Sequence, residues 1–462
     1  MKEIVCKLLV VGAGPGGYIC AIRAGQLGVD TVIVEKAKAG GTCLNVGCIP
    51  SKALIHAAEE FDKARHMTAA NPLGITVEAP KLDLAQTMRW KDGIVGRLNG
   101  GVLGLLRKAK VKIVHGEARF RDGKTVEVET ETGTQLIRAE TVVIATGSEP
   151  VALPALPFGG AILSSTEALS LQGVPQRLTV VGGGYIGLEL GTAFAKLGSE
   201  VTVVEAMAQI LPQYDAELVK PVAKRLADLG VSVLTGVRAK GYSGEALVIE
   251  TASGAEKWIA ADKVLVTVGR RPRTGGWGLE ELDLDRAGRF IRIDDQCRTS
   301  MRGVYAIGDV TGEPMLAHRA MAQGEMVAEI VAGRKRAWDK RAIPAVCFTD
   351  PEIVTAGLSP DEARAQGYEV RVGLFPFGAN GRAMTTQAED GFVRAVARSD
   401  TNLVLGLQAV GAGVSELSAA FSLALEMGAR LEDIAGTIHA HPTRSEGLQE
   451  AAMKALGHAL HI

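Results

Sequence analysis

The sequence is poor in cysteine, in aromatic residues and in net charge. Six cysteines in 462 residues are too few for a secreted scaffold held together by disulfides. A net charge of −1 gives no argument for binding to nucleic acid or to an anionic membrane. Hydrophobic residues make up 47% of the chain and charged residues 22%, which is typical of a globular protein. The length indicates about three domains.

Long hydrophobic runs are also scarce. Residues 178–195 come nearest to a membrane span and carry Glu189 as their one charge. The glycines at the start of this run are typical of a strand, a turn and a helix instead. The apolar run in "MKEIVCKLLVVGAG" is too short for a signal peptide. We therefore expect a cytoplasmic protein with no membrane segment.

Two of the few cysteines lie close together, in "GGTCLNVGCIPSK". In a regular helix the Cα atoms of Cys43 and Cys48 would lie roughly 8–9 Å apart, beyond the about 7 Å limit for a disulfide. A bond between them requires a distorted backbone, which Gly47 and Pro50 allow. The other four cysteines form no second pair. A redox pair, unpaired structural thiols and a metal site remain open, and the redox pair is favoured.

A dinucleotide-binding pattern opens the chain. In "LLVVGAGPGGYICAIRAGQLGVDTVIVE" an apolar strand precedes Gly12, Gly14 and Gly17, and Glu35 ends the next strand. This G-x-G-x-x-G turn brings the backbone and a helix N-terminus close to a pyrophosphate. The acidic residue, about 20 positions further on, accepts hydrogen bonds from a ribose.

The same pattern recurs in "RLTVVGGGYIGLELGTAFAKLGSEVTVVE". Here Gly182, Gly184 and Gly187 follow a strand, and Glu205 ends the next one. A lone G-x-G-x-x-G is a weak signal, but two complete units with equal spacing predict two dinucleotide sites. The five residues after Glu205 include no arginine or lysine to pair with a 2′-phosphate. We therefore predict NAD rather than NADP at the second site.

Further apolar strands run into small turns at 141–150, 264–272 and 304–312. Such turns are where a doubly wound sheet presents its ligand-binding loops, and Asp309 lies in the third. The proline-rich "PVALPALP" indicates a crossover, and the pattern changes to α+β near residue 343. The predicted division is 1–149 and 150–271 for the two dinucleotide units, 272–342 for a central segment that completes the first, and 343–462 for a final domain.

The final domain contains "TIHAHPTRSEGLQEAAMKALG". Thr443-x-x-Glu446 predicts a capping box at the start of a helix, which would make Glu446 a capping residue and His441 a loop histidine. The alternative is a pair in which the carboxylate orients the imidazole as a general base. The residues alone leave both interpretations open.

Six motifs in order carry a resemblance: the first fingerprint, "GGTCLNVGCIPSK", "ATGS", "GGGYIGLELG", "YAIGDV" and "HAHPTRSE". With them the chain resembles, nearly end to end, the flavin-dependent pyridine nucleotide-disulfide oxidoreductases, and among these the dihydrolipoamide dehydrogenases. The resemblance implies an α/β fold with two doubly wound Rossmann-like domains, one for FAD and one for NAD, and a C-terminal α+β dimerisation domain.

The resemblance also implies the roles of individual residues. Cys43 and Cys48 would form the redox disulfide, with Cys43 meeting the substrate and Cys48 facing the flavin. Lys52 would lie near the flavin and pair with Glu189, and His441 would be the base oriented by Glu446. The FAD site would comprise Gly12, Gly14, Gly17, Glu35, Lys52, Gly116, Thr146, Gly147, Asp309 and Ala317. The NAD site would comprise Gly182, Gly184, Gly187, Glu205 and Gly269, and no metal is expected.

The implied reaction is the oxidation of dihydrolipoamide, carried on the lipoyl domain of an acyltransferase component, with reduction of NAD. The implied assembly is a homodimer that serves a 2-oxo acid dehydrogenase complex, and the sequence further resembles the branch that serves branched-chain complexes. Glutathione reductase would show basic residues after the second unit, and mercuric reductase a cysteine pair at the C-terminus; the chain ends in "ALGHALHI". A flavin-bearing component without turnover and a metal-binding module are the alternatives from other classes.

Overall fold

The structure is a computed structural model that describes residues 2–462. The N-terminal sheet is built around Lys2–Val11, an apolar strand whose partners on both sides are parallel to it. Six strands follow one another in the order Lys112–His115, Thr31–Glu35, Lys2–Val11, Gly133–Ile144, Thr125–Thr130 and Glu117–Phe120. A seventh strand, Val304–Ala306, pairs in parallel with Gly133–Ile144. The segment 272–342 thus returns a strand to the first sheet.

The second parallel sheet repeats this plan around Arg177–Val181. Its strands follow in the order Ser232–Thr235, Glu200–Glu205, Arg177–Val181, Lys263–Val266 and Ile162–Leu163. A small antiparallel sheet of Arg238–Tyr242, Ala246–Glu250 and Glu256–Ala260 accompanies it. The strands Ser148–Pro150 and Arg270–Pro272 pair as an antiparallel ribbon. The predicted boundaries at 149/150 and 271/272 both fall within this ribbon, so the chain enters and leaves the second unit through two paired strands.

The C-terminal sheet is entirely antiparallel. Its strands follow in the order Ala345–Cys347, Glu352–Gly357, Val404–Gly411, Phe392–Arg398 and Val370–Pro376. A short ribbon pairs Arg286–Ala287 with Phe290–Ile291. The mixed α/β fold with two parallel, dinucleotide-type sheets and an α+β C-terminal unit is confirmed.

The helices cover the sheet faces, and two of them begin at the predicted glycine turns. They span Pro15–Gln26, Gly41–Val46, Cys48–His66, Leu84–Lys108, Ser165–Ala168, Tyr185–Leu197, Ala216–Asp228, Ala317–Val331, Pro360–Ala365, Gly381–Thr385, Ser418–Glu426, Leu431–Gly436 and Glu446–Leu456. Short 3₁₀ turns span Leu279–Leu282, Gly308–Thr311, Phe377–Ala379 and Val414–Leu417. No helix within 2–462 has the length and apolarity to cross a membrane.

Local capping signals were only partly predictive. Ser359 and Glu362 form the expected capping box, with Pro360 at the first helical position. The capping box predicted for Thr443 and Glu446 is wrong, because the last long helix begins at Glu446 itself and Ser445 is its N-cap. Half of the expected exchange exists, since the Thr443 N–H donates to Glu446 Oε2 at 2.7 Å. The Thr443 hydroxyl donates instead to the carbonyl of Ala440.

Candidate functional site

Cys43 and Cys48 are joined by a disulfide. Cys43 lies in the helix Gly41–Val46 and Cys48 is the first residue of the helix Cys48–His66. Gly47, which lies between the two helices, has φ −141° and ψ −112°, and this break brings the two Cα atoms to 4.6 Å. The backbone is therefore distorted at the glycine, as the spacing requires, while Pro50 fits within the first turn of the second helix.

The other four cysteines have a different environment. Cys6, Cys20, Cys297 and Cys347 are buried free thiols. Burial raises the pKa of each of them to about 12. They stay protonated at neutral pH and are poor nucleophiles, because the thiolate is the reactive form. No group of three or more His, Cys, Asp or Glu side chains among residues 2–462 is placed to hold a metal ion.

The disulfide lies in the wall of a cavity of about 990 Å³. The three glycines of the first fingerprint and both cysteines line it. The remaining residues predicted for the flavin site also line it, namely Glu35, Lys52, Gly116, Thr146, Gly147, Asp309 and Ala317. A cavity of this size can hold a large ligand such as a dinucleotide.

The first glycine turn leaves room for a ligand where the fingerprint requires it. Gly12 has φ +101°, and a Cβ there would lie 2.4 Å from the carbonyl oxygen of Ala145. A Cβ on Gly17 would lie 1.9 Å from the carbonyl oxygen of Gly12, so that helix and strand pack backbone to backbone. Gly14, in contrast, faces open space within the cavity. This cradle at the start of Pro15–Gln26 fits a pyrophosphate.

Glu35 is fixed at the end of its strand. Its Oε2 accepts from the Ala13 N–H at 2.8 Å and its Oε1 from the Ala37 N–H at 2.9 Å. A carboxylate has about four acceptor positions, so two bonds to its own loop leave capacity for ribose hydroxyls.

Lys52 and Glu189 form an ion pair beside the disulfide. Lys52 Nζ lies 2.7 Å from Glu189 Oε2. Lys52 belongs to the helix Cys48–His66 of the first unit, and Glu189 to the helix Tyr185–Leu197 of the second. Glu189 is only 3% exposed within the apolar helix Tyr185–Leu197, and a buried charge of this kind needs a partner. Both residues line the cavity.

Asp309 belongs to a polar chain that sequence reasoning missed in part. The Ser148 hydroxyl donates to Asp309 Oδ2 at 2.5 Å, and Arg270 Nε donates to the same hydroxyl oxygen at 2.8 Å. Burial lowers the pKa of the Arg270 guanidinium, and Asp309 opposes that shift. Ser148 and Arg270 both line the cavity. The sequence signal that could have found Ser148 and Arg270 is their place in the turns "ATGSEP" and "VGRRP".

The second fingerprint adopts the same geometry as the first. Gly182 has φ +105°, and a Cβ on Gly187 would lie 2.3 Å from the Gly182 carbonyl oxygen, whereas Gly184 faces open space. Glu205 accepts from the N–H groups of Gly183 and Met207, each at 2.7 Å.

These residues of the second fingerprint do not line the 990 Å³ cavity. Gly269, with φ +121° and open space around it, does not line it either. Tyr185 and Ile186, on the helix that follows the second turn, do line it. The two predicted sites therefore adjoin each other.

His441 and Glu446 are paired but lie away from the disulfide of their own chain. His441 Nδ1 lies 2.8 Å from Glu446 Oε1, and the His441 side chain is 80% exposed. Burial raises the pKa of the Glu446 carboxyl, but the Thr443 N–H and His441 outweigh it and leave the pKa below its ordinary value. Neither residue lines the cavity. A carboxylate on Nδ1 leaves Nε2 as the acceptor of the ring.

The fold, the two glycine cradles and the disulfide define a class of protein. The chain belongs to the pyridine nucleotide-disulphide oxidoreductase family, whose sequence pattern matches residues 6–324, and the dimerisation domain of that family matches residues 343–452. The protein is therefore a disulfide oxidoreductase that uses FAD and NAD, and the matched dimerisation domain supports a homodimer.

Named relatives narrow the class further. The chain is 63% identical to the dihydrolipoyl dehydrogenase of Pseudomonas aeruginosa over 464 aligned positions, which cover the whole of both chains. It is 49% identical to dihydrolipoyl dehydrogenase 2 of Haloarcula marismortui over 98% of each chain. The crystal structure of LpdA from Mycobacterium tuberculosis has a TM-score of 0.88 at 26% identity, and the match covers 98% of this chain and 99% of that one.

Proposed function

We propose that the protein oxidises dihydrolipoamide to lipoamide through the Cys43–Cys48 disulfide and reduces NAD to NADH. The observation that carries the proposal is the placement of that disulfide in the wall of the cavity that the first glycine cradle opens. The full-length identity with a dihydrolipoyl dehydrogenase supports the choice of substrate.

The thiol chemistry follows from the two cysteines and the histidine pair. His441 removes a proton from one substrate thiol, and Glu446 stabilises the resulting imidazolium. The substrate thiolate attacks the Cys43 sulfur, which breaks the Cys43–Cys48 bond and releases Cys48 as a thiolate. The second substrate thiol then displaces Cys43, which leaves as a thiol by taking up that thiol's proton, and the ring of lipoamide closes. The substrate loses two electrons, and the disulfide becomes a dithiol.

A bound FAD would supply the two-electron acceptor chemistry between the dithiol and NAD. The residues that would hold it are the first fingerprint, Glu35, Gly116, the turn at Thr146 and Gly147, Asp309 and Ala317. Lys52 would place a positive charge beside the cofactor. Gly182, Gly184, Gly187, Glu205 and Gly269 would bind NAD.

The base is assigned to the opposite subunit. His441 is exposed on the unit that matches the dimerisation domain and does not line its own chain's cavity. In a homodimer, His441 of one subunit would serve the disulfide of the other. The proposed domains are 1–149 with 272–342, which bind FAD, 150–271, which bind NAD, and 343–462, which form the dimer contact.

The biological partner is assigned from the substrate. Dihydrolipoamide would be presented by the lipoyl domain of the acyltransferase component of a 2-oxo acid dehydrogenase complex, and the branched-chain type is the complex that the sequence resembles. The proposed place of action is the cytoplasm.

The test is NAD reduction by purified holoenzyme with dihydrolipoamide, with NADP in a parallel assay. Rapid reduction of NAD with little use of NADP is expected. A yellow protein that instead reduces glutathione disulfide with NADPH would refute the assignment. His441→Gln should lower kcat by about 10²–10⁴-fold, while His439→Gln, two residues away in the same loop, serves as the matched control and should retain most activity.

A further inference from the structure

A loop of the C-terminal unit touches both members of the Lys52–Glu189 pair through one residue. Phe348 directly follows the strand Ala345–Cys347. Its N–H donates to Glu189 Oε1 at 2.9 Å, and its ring lies under Lys52, with Nζ 4.5 Å from the ring centroid. The predicted list of site residues did not include Phe348, which is 159 positions from Glu189 in the sequence.

The two contacts fix the two partners in different ways. Glu189 is buried and has one oxygen on Lys52 and the other on the Phe348 N–H, so its carboxylate cannot rotate freely. Lys52 is 32% exposed, and a lysine side chain has four flexible carbons. The aromatic face attracts the ammonium and restricts where it can go.

The loop itself is fastened to the same helix that carries Glu189. Asp350 Oδ2 lies 2.8 Å from Lys196 Nζ and accepts from Arg225 Nε at 2.8 Å. Lys196 is two helical turns after Glu189 on Tyr185–Leu197. The loop therefore contacts one face of this helix at two points, which sets the position of Phe348.

The position of Lys52 matters for Cys48. Both are in the helix Cys48–His66, four residues apart, and residues at this spacing are neighbours on one helix face. A positive charge close to a cysteine favours the thiolate. We propose that Phe348 is a positioning residue that holds the ammonium of Lys52 beside Cys48. This inference rests on the proposed role of Cys48 next to the flavin.

The test follows the protonation of Cys48 by absorbance rather than by turnover. In a Cys43→Ser holoenzyme Cys48 is a free thiol, and a thiolate beside oxidised flavin gives a broad long-wavelength absorbance. Its pH titration is measured in that background with Phe348, Phe348→Leu and Phe348→Tyr. Leucine removes the ring but keeps the N–H and the apolar bulk, whereas tyrosine keeps the ring.

The expected result for leucine is an upward shift of the titration midpoint by about 0.3–0.7 pH units, which is a two- to fivefold fall in the acid dissociation constant of the Cys48 thiol. Tyrosine should restore the original midpoint. In a Lys52→Met background the leucine change should have no further effect. Phe290→Leu, which removes a ring 5.3 Å from the guanidinium of Arg289, is the matched control and should not shift the midpoint.

Several outcomes would overturn the inference. They are an unchanged midpoint for leucine, a tyrosine variant that behaves like leucine, or a leucine effect that persists without Lys52. Absence of the long-wavelength band at every pH would show that Cys48 does not lie beside the flavin, and this result would also overturn the inference. Because no dihydrolipoamide is used, a failure of the proposed substrate would appear separately, as a normal titration in an enzyme that does not oxidise dihydrolipoamide.

Discussion

We predict that the preference for NAD over NADP depends on the charge of Glu205, and Glu205→Gln tests this prediction. Glu205 ends its strand 8% exposed and bonds to the N–H groups of Gly183 and Met207, each at 2.7 Å. A glutamine is nearly isosteric but neutral. It offers one acceptor oxygen instead of two. Its NH2 group, which is a donor, would face one of the two backbone N–H groups and cannot accept a hydrogen bond from it.

The magnitude has two parts. At an effective dielectric constant of about 20, two unit charges about 6 Å apart repel by ~3 kcal/mol, so the carboxylate should disfavour a 2′-phosphate by roughly 100-fold. Loss of a charge-assisted hydrogen bond weakens the binding of NAD as well, by about 1.5–3 kcal/mol. We expect Glu205→Gln to lower kcat/KM for NAD by about 10- to 100-fold. Because the repulsion of NADP is relieved at the same time, the NAD/NADP ratio should narrow by about 1,000-fold or more.

The assay compares kcat/KM for NAD and NADP at fixed dihydrolipoamide. Met207 is 56% exposed, so Met207→Arg can add a cation for the 2′-phosphate without steric conflict and should raise NADP use further. Glu200→Gln, at the exposed start of the same strand, is the matched control and should leave the ratio unchanged. A ratio that stays within twofold of wild type in the Glu205→Gln variant would refute the reasoning.

Three further predictions concern the thiols, the tail and the domain contacts. Cys48→Ser should abolish NAD reduction by dihydrolipoamide while the bound flavin, measured by its absorbance, stays stoichiometric. Glu450 raises the pKa of His461 above its ordinary 6.5, so their pair adds stability at acidic pH that is lost as the pH rises through the raised value. The difference in Tm between wild type and His461→Gln should therefore be present near pH 6 and vanish at about pH 9; a difference that grows with pH would contradict this. Arg394→Met leaves Asp215 without its buried partner. The free energy of the first unfolding transition, measured in urea, should fall by about 3 kcal/mol. An unchanged free energy would show that the pair behaves as a surface contact and would contradict the prediction.

Local signals in the sequence predicted the parts of the site that are themselves local. The two glycine turns were recognisable because the close approach of Gly17 to Gly12, and of Gly187 to Gly182, is possible only without side chains. Their strand–turn–helix context was also contained in one continuous stretch. The spacing from Gly12 to Glu35 equals the spacing from Gly182 to Glu205, and this match identified both units as complete.

The pairing of Cys43 with Cys48 was less determined by the sequence. Their spacing excluded a bond within a regular helix but left redox, structural and metal interpretations open. The choice depended on a single backbone break at Gly47, which brings the Cα atoms to 4.6 Å.

The start of the last helix was predicted too early, because Thr443 directs its hydroxyl to Ala440 and not to the helix N-terminus.

Contacts between distant segments could not be read from the sequence. Arg270 and Ser148 meet because the two crossover strands pair, and Phe348 reaches Glu189 because the C-terminal unit packs against the second sheet's helix. Each is an ordinary residue in its own segment. Only the tertiary arrangement makes them part of the site.

The most direct test of the central claim counts reactive thiols in the holoenzyme without NAD. Four cysteines are buried with raised pKa values and should stay unlabelled by iodoacetamide until the protein is denatured. Anaerobic dihydrolipoamide should convert the disulfide into a dithiol. Denaturation in the presence of the label should then alkylate Cys43 and Cys48. NAD added before the label should restore the bond and protect both cysteines from alkylation. Labelling of Cys43 and Cys48 that depends on dihydrolipoamide and is reversed by NAD is the predicted result. Cysteines that remain bonded after dihydrolipoamide treatment would contradict the account.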